Sequence, residues 1–156
     1  MIERLQELLQ ADEGYRDLIY LDHLGLPSIG CGHLIKKDDA EHGLPVGARV
    51  SEDRIEELFK ADVESCLADC RGLYVDFDTM PESVQITAAS LAFQLGINRY
   101  RLFKKHRAAM AAGDWAEAAA QLRDSRLYKQ TPERTERHAR RLEDFSQDAA
   151  RVKYPI

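Results

Sequence analysis

The sequence predicts an α+β fold dominated by helix: a small β-hairpin lobe near the N-terminus and a helical C-terminal lobe, joined by one long helix. Three observations predict it. Apolar residues recur at helical spacing over most of the chain. Strand-like runs bounded by turn residues occur only between residues 18 and 31. The run through Ala88, Leu91, Ala92, Phe93 and Leu95 is apolar on most sides, as a helix in the middle of a lobe must be.

Taken in order, Ile2, Leu5, Leu8 and Leu9 make one apolar stripe over residues 2–12, opposite Glu3, Arg4, Glu7 and Gln10, and Gly14 supplies the C-terminal stop. Leu18 to Leu21 and Ser28 to Cys31 read as two strands joined by the turn-rich Asp22-His23-Leu24-Gly25-Leu26-Pro27. Lys36 to Val50, with Gly43, Pro45 and Gly47, reads as a loop with room for a short third strand. Ser51 is the expected N-cap of a helix running to about Arg71, with Glu52 and Asp53 in its favourable first turn and Ile55, Phe59, Val63, Cys66 and Cys70 along one face. Thr79-Met80-Pro81-Glu82 has capping-box spacing and opens the apolar helix, which Gly96 ends. Three further helices are expected: about 100–112 ending at Gly113, about 115–124 opened by Asp114 and Glu117, and about 132–152 opened by Thr131-Pro132.

At 156 residues the chain can bury a majority of its unfolded surface without staples. Its 44% hydrophobic and 31% charged residues are those of a soluble globular protein, and no apolar run approaches the ~20 residues that span a bilayer. Met1-Ile2-Glu3-Arg4 does not begin a signal peptide, so synthesis in the cytoplasm is expected. Cys31, Cys66 and Cys70 are odd in number, and Cys66 and Cys70 are poorly spaced for a disulfide on one helix. With His33 they lack finger-like spacing, so reduced, buried thiols and no metal are expected. The net charge of −5 is unevenly spread: residues 1–98 carry 8 Lys/Arg and 19 Asp/Glu, residues 99–156 carry 14 and 8. The basic half could face nucleic acid, anionic lipid or an anionic polymer, or be a solvated helix surface.

The residues that suggest chemistry lie between 12 and 33. Glu13 sits at the end of a helix, where burial would keep it protonated, and Asp22 lies in an open turn. Two carboxylates in contrasting environments suit glycoside hydrolysis, in which one donates a proton to the leaving oxygen and the other directs water or meets the oxocarbenium charge. The spacing alone is equally that of a helix-end Glu and a turn Asp that cap local structure.

The order of residues adds what spacing does not. Asp12-Glu13-Gly14, Tyr20-x-Asp22, Gly25 and Ser28-Ile29-Gly30-x-Gly32-His33 resemble the phage-type lysozymes, the muramidase family of the T-even phages. The resemblance continues through Glu57-x-Phe59-x-x-Asp62-Val63, Ala92-Phe93-Gln94-Leu95-Gly96, Trp115-x-Glu117-Ala118-Ala119, and Ser125-Arg126-x-Tyr128-x-Gln130-Thr131-Pro132-x-Arg134-x-x-Arg137. It implies a lysozyme-like domain over 1–156, with lobes at about 13–60 and 72–156, helix 2–12 packing on the C-terminal lobe, and a peptidoglycan cleft.

By the same resemblance, Glu13 matches the general acid, Asp22 the second carboxylate, and Ser28 a threonine whose hydroxyl helps hold the attacking water. Serine keeps the hydroxyl without the methyl that restricts its rotamer. Leu34, Phe93, Gln94, His106 and Gln121 match saccharide-contacting positions. His33 and Asp62 match a salt-bridged pair, and Arg134, with Arg137 beyond it, matches an arginine reaching the acid's helix end. The loop between His33 and Ser51 is shorter than in the T-even protein. No cofactor is implied. The partners implied are peptidoglycan glycan strands and a holin or other delivery system that releases the chain to the wall in the periplasm. Nucleic acid and stable membrane insertion are not implied, and a monomer is expected. A lytic transglycosylase, and a helical regulator using the basic half, are the competing readings.

Overall fold

The N-terminal apolar stripe folds as α1 (Ile2–Glu13), with Leu5 and Leu9 buried, and Gly14 closes it at φ +76° with its N–H donating to the Gln10 carbonyl at 2.9 Å. The helix therefore extends one residue beyond the apolar pattern and carries Glu13 on its last turn. The computed structural model of the protein describes residues 1–144, and the chain divides into two units: Ile2–Ser65, and Met1 with the residues from Cys66 onward.

The first unit holds an antiparallel sheet of β1 (Arg16–Leu21), β2 (Pro27–Gly30) and β3 (His33–Leu34) in that order. Tyr20 faces Ser28, Ser28 faces Leu34, and Ile29 faces His33, so the sheet is registered by two rows of side chains. Ile19 and Ile29 join Val50, Ile55 and Leu58 in the core. Each such side chain stabilises the fold by roughly 1.5–3 kcal/mol when fully buried.

The expected strand Ser28 to Cys31 stops one residue early. Gly30 and Gly32, at φ +67° and +75°, reverse the chain around Cys31 and create β3 directly afterwards. A Cβ on Gly30 would stand 2.6 Å from Ile55 Cγ2, so no side chain fits there. The room left for a third strand in 36–50 is filled otherwise. Residues 47–50 run beside β1, where Ile19 exchanges hydrogen bonds with Gly47 and Ala48 and an isolated bridge pairs Leu18 with Arg49. Gly43, Pro45 and Gly47 break any longer ladder. This loop is pinned by buried Glu41, whose carboxylate accepts from Arg54 Nε at 2.7 Å and from its terminal nitrogen at 3.2 Å.

Ser51 accepts the Arg54 N–H at 3.3 Å and begins α2 (Glu52–Leu73) as expected; the boundary between units falls inside this helix. In the second unit Thr79 does not cap the apolar helix. It closes a 3-10 turn (Phe77–Thr79), its hydroxyl donating to the Asp76 carbonyl at 2.9 Å, and Pro81, which has no side-chain acceptor, precedes α3 (Glu82–Leu95). As its composition requires, α3 is buried on nearly every side.

The expected helix at 100–112 forms only as α5 (Lys104–Ala111), and a separate short α4 (Ile97–Tyr100) precedes it. The break follows from Tyr100, which is wholly buried and hydrogen-bonded to His106, so the chain must turn back on itself between them. Asp114 caps α6 (Trp115–Arg123) by accepting the Glu117 N–H at 3.1 Å, but the other half of that box is absent because the Asp114 N–H donates to the Ala109 carbonyl at 2.9 Å. Ser125 caps a short α7 (Arg126–Gln130) that periodicity did not suggest. Proline starts α8 (Pro132–Glu143), which buries Thr135, His138, Ala139 and Leu142 and packs on α3, α6 and α7. The part of that helix expected at 145–152 lies outside the described residues. Among the described residues no helix is long and apolar enough to cross a membrane.

Candidate active site

In the first unit Glu13, half-buried, ends α1, and Asp22 follows the last residue of β1. Tyr20 links them. Burial raises its phenol pKa, the Arg16 guanidinium 4.3 Å from its ring centroid opposes that, and the Glu13 and Asp22 carboxylates push it up again. Both carboxylates therefore act on one side chain, and Ser28 is the residue directly opposite it on β2.

Each member is held by local geometry. Asp22 Oδ1 accepts the backbone N–H groups of Leu24 at 2.8 Å and Leu26 at 2.9 Å, and the Asp22 N–H donates to the Leu26 carbonyl at 2.9 Å. The turn-capping role open to a turn Asp is thus real and uses one oxygen; Oδ2 accepts no hydrogen bond from the described residues. Ser28 is buried, and among the described residues its hydroxyl makes only a long 3.4 Å hydrogen bond, to the Leu26 carbonyl. Gly32 backs the Glu13 carboxyl: a Cβ there would meet Glu13 Oε2 at 3.1 Å. Cys31 lies close enough that Glu13 adds to the rise that burial imposes on its thiol. Leu34 completes the Tyr20–Ser28–Leu34 row and is exposed.

On the opposite face His33 is buried between two carboxylates, its Nδ1 2.7 Å from Asp62 Oδ2 and its Nε2 2.7 Å from Asp39 Oδ2. Carboxylates only accept, so both ring nitrogens donate and the ring is the imidazolium. Burial alone would lower its pKa; the two hydrogen bonds outweigh that and raise it. Asp62 is the partner that the resemblance implied, while Asp39 was missed, because only the folded loop brings it back to the strand.

In the second unit Phe93 and Gln94 lie half-buried near the end of α3. Gln94 is tied at both ends of its amide, Nε2 donating to Thr131 Oγ1 at 3.2 Å and Oε1 facing His138 Nε2 at 3.3 Å. His106 and Gln121 border one open pocket of about 500 Å³, shared with Lys104, Lys105 and Arg126. The His106 ring is not presented as a solvent-facing sugar contact. It is 2% exposed, donates from Nδ1 to the Ala118 carbonyl and accepts the Tyr100 hydroxyl, each at 3.0 Å, and burial lowers its pKa to about 4. Arg134 is half-buried and Arg137 exposed on α8.

Part of the basic half is internally neutralised. Arg123 pairs with Glu136 and Glu143, and Arg140 with Glu136. The three cysteines are free, and among the described residues no three His, Cys, Asp or Glu side chains converge as a metal site would need.

Among the described residues the chain combines eight helices with a small three-stranded antiparallel sheet, as a lysozyme-like α+β fold does. Residues 10–141 match the Phage lysozyme family, and the chain belongs to that family. It is 32% identical over 151 residues to the pre-baseplate central spike protein Gp5 of Enterobacteria phage T4, an alignment covering 85% of this chain and 26% of that protein. It is 27% identical over 156 residues to probable T4-type lysozyme 2 of Dictyostelium discoideum, covering 88% and 92%. With peptidoglycan hydrolase gp36 of Pseudomonas phage phiKMV it shares 28% over 130 residues, covering 83% of this chain and 14% of that one. The chain thus spans about a quarter of the spike protein's length and nearly all of the amoebal relative's.

Proposed function

We propose that this chain is a peptidoglycan hydrolase of the lysozyme type, cleaving the β-1,4 bond between N-acetylmuramic acid and N-acetylglucosamine with inversion. The observation that carries this is that the Glu13 and Asp22 carboxylates both act on Tyr20, which Ser28 faces across the β1–β2 ladder. Glu13 donates the proton to the leaving oxygen. Asp22, with one oxygen already committed to two backbone N–H groups, aims the other at water or at the developing oxocarbenium charge. Ser28 holds the water. In an inverting site the two carboxyl groups stand ~6.5–9.5 Å apart to admit that water.

Leu34 in the first unit and Phe93, Gln94 and Gln121 in the second are glycan contacts in this reading, and His106, which borders the same pocket as Gln121, acts as support. Arg134 and Arg137 are supporting residues of α8 in this reading, with His33 and Asp62 supporting the sheet. The chain works as a monomer and reaches the wall through a holin or another delivery system. Family membership and the naming of one relative as a peptidoglycan hydrolase support the substrate class.

The test is loss of turbidity of outer-membrane-permeabilised cells. Glu13→Gln, nearly isosteric, should abolish lysis; retained lysis removes Glu13 as acid. Initial release of the β-anomer, followed by proton NMR, would overturn inversion, and muropeptides lighter by one water would mark a transglycosylase instead.

A further inference from the structure

His138 lies on α8, wholly buried, and no role in the proposed reaction has been given to it. Its Nδ1 is 2.5 Å from a terminal nitrogen of Arg141, and its Nε2 is 3.3 Å from Gln94 Oε1. An arginine guanidinium only donates. His138 Nδ1 must therefore accept, which leaves the ring's single proton on Nε2, pointing at Gln94. The atom of Gln94 that faces this donor must be the carbonyl oxygen, so the amide nitrogen faces Thr131 Oγ1. Thr131 in turn is held by Leu127 and Thr135.

This is a directed chain of three hydrogen bonds, Arg141 to His138 to Gln94 to Thr131, in which a cation that cannot change its hydrogen-bonding sense sets the orientation of a carboxamide two links away. Burial, the charges of Arg141, Arg134 and Arg137, and His106 all disfavour a second proton on His138, which is what the accepting Nδ1 requires.

We propose that His138, backed by Arg141, is a positioning residue that locks the amide of Gln94 in one orientation, so that Gln94 offers the glycan one N–H and one carbonyl lone pair in a defined order. This deepens the reading of Gln94 as a glycan contact and rests on it. A free carboxamide would present either orientation and would match a sugar acetamido or hydroxyl group only part of the time.

The experiment is a double-mutant cycle on kcat/KM for solubilisation of purified peptidoglycan, using His138→Val, Gln94→Ala and the double variant, with His138→Gln as the rescue. Glutamine at 138 can accept from Arg141 and donate to Gln94. His138→Val should lower kcat/KM several-fold, His138→Gln should restore most of it, and the His138→Val loss should vanish once Gln94 is alanine. A purely structural role would cost the same in both backgrounds and would overturn the proposal. Full activity of His138→Val beside an impaired Gln94→Ala also overturns it alone, whereas full activity of Gln94→Ala removes the glycan role of Gln94 as well. Should His138→Val fail to fold, two-bond proton–nitrogen NMR of the wild-type protein decides: the proton is expected on Nε2, and a proton on Nδ1 refutes the chain.

Discussion

The buried His106 makes stability depend on pH in a predictable window. Its ring lies between Tyr100, whose hydroxyl it accepts, and the Ala118 carbonyl, to which it donates; Tyr74 continues the chain by a 2.7 Å hydrogen bond to Tyr100. Burial lowers its pKa to about 4 from an ordinary value near 6.5. A depressed folded pKa means that the unfolded chain takes up the proton first. The neutral ring's contribution is therefore whole above the unfolded value, and it is lost as pH falls from there to the folded one. Linkage gives a loss of about 2 kcal/mol between about pH 7 and about pH 5, and about 3 kcal/mol once both states are protonated.

At pH 7 His106→Leu removes two buried hydrogen bonds, at a cost of roughly 1–3 kcal/mol. It also removes the titrating group. The wild-type advantage over His106→Leu, measured by urea unfolding, should thus shrink by about 2 kcal/mol from about pH 7 to about pH 5 and nearly disappear. A gap of constant size across that range would refute the assignment of a buried, neutral His106, and an NMR titration of its ring midway near pH 6 would do the same.

Other perturbations separate the site from its scaffold. Gly32→Ala forces a side chain onto φ +75° and against Glu13 Oε2, so kcat/KM should fall by about tenfold or more while stability drops by only about 1 kcal/mol. Asp22→Asn keeps the oxygen that accepts from Leu24 and Leu26, so calorimetry should find its stability within about 0.5 kcal/mol of wild type with lysis lost. Asp22→Ala loses the turn as well and should cost about 1 kcal/mol more; equal stabilities of the two variants would contradict the capping geometry. His33 behaves oppositely to His106. Its pKa is raised, so its ion pairs stabilise fully below the unfolded value and are lost as pH rises through the folded one. The stability gap between wild type and His33→Gln should be wider at about pH 5 than at about pH 9 in chemical denaturation.

What the sequence determined by itself is whatever one stretch of chain decides alone. The stripe of α1 and its glycine stop, the Ser51 cap, the apolar α3 and the proline start of α8 depend on neighbours three or four residues away, and all are in place. So is the order of residues from Asp12 to His33, which carried the family resemblance. The Thr79 box failed because α3 starts only at Glu82, after Pro81, which leaves Thr79 in the preceding 3-10 turn.

Tertiary structure decided everything that needed a partner far along the chain. Asp39 returns to His33 only because the loop closes; His106 is a strut rather than a surface group only because Tyr100 and α6 enclose it. The orientation of Gln94 is set from His138 and Arg141, more than forty positions away, through a proton whose location no periodicity records. Hydrophobic spacing encodes which face of an element is buried; it carries no information about which polar group meets which. The fold was therefore legible from the residues, and the hydrogen-bond directions that tune the candidate site were not.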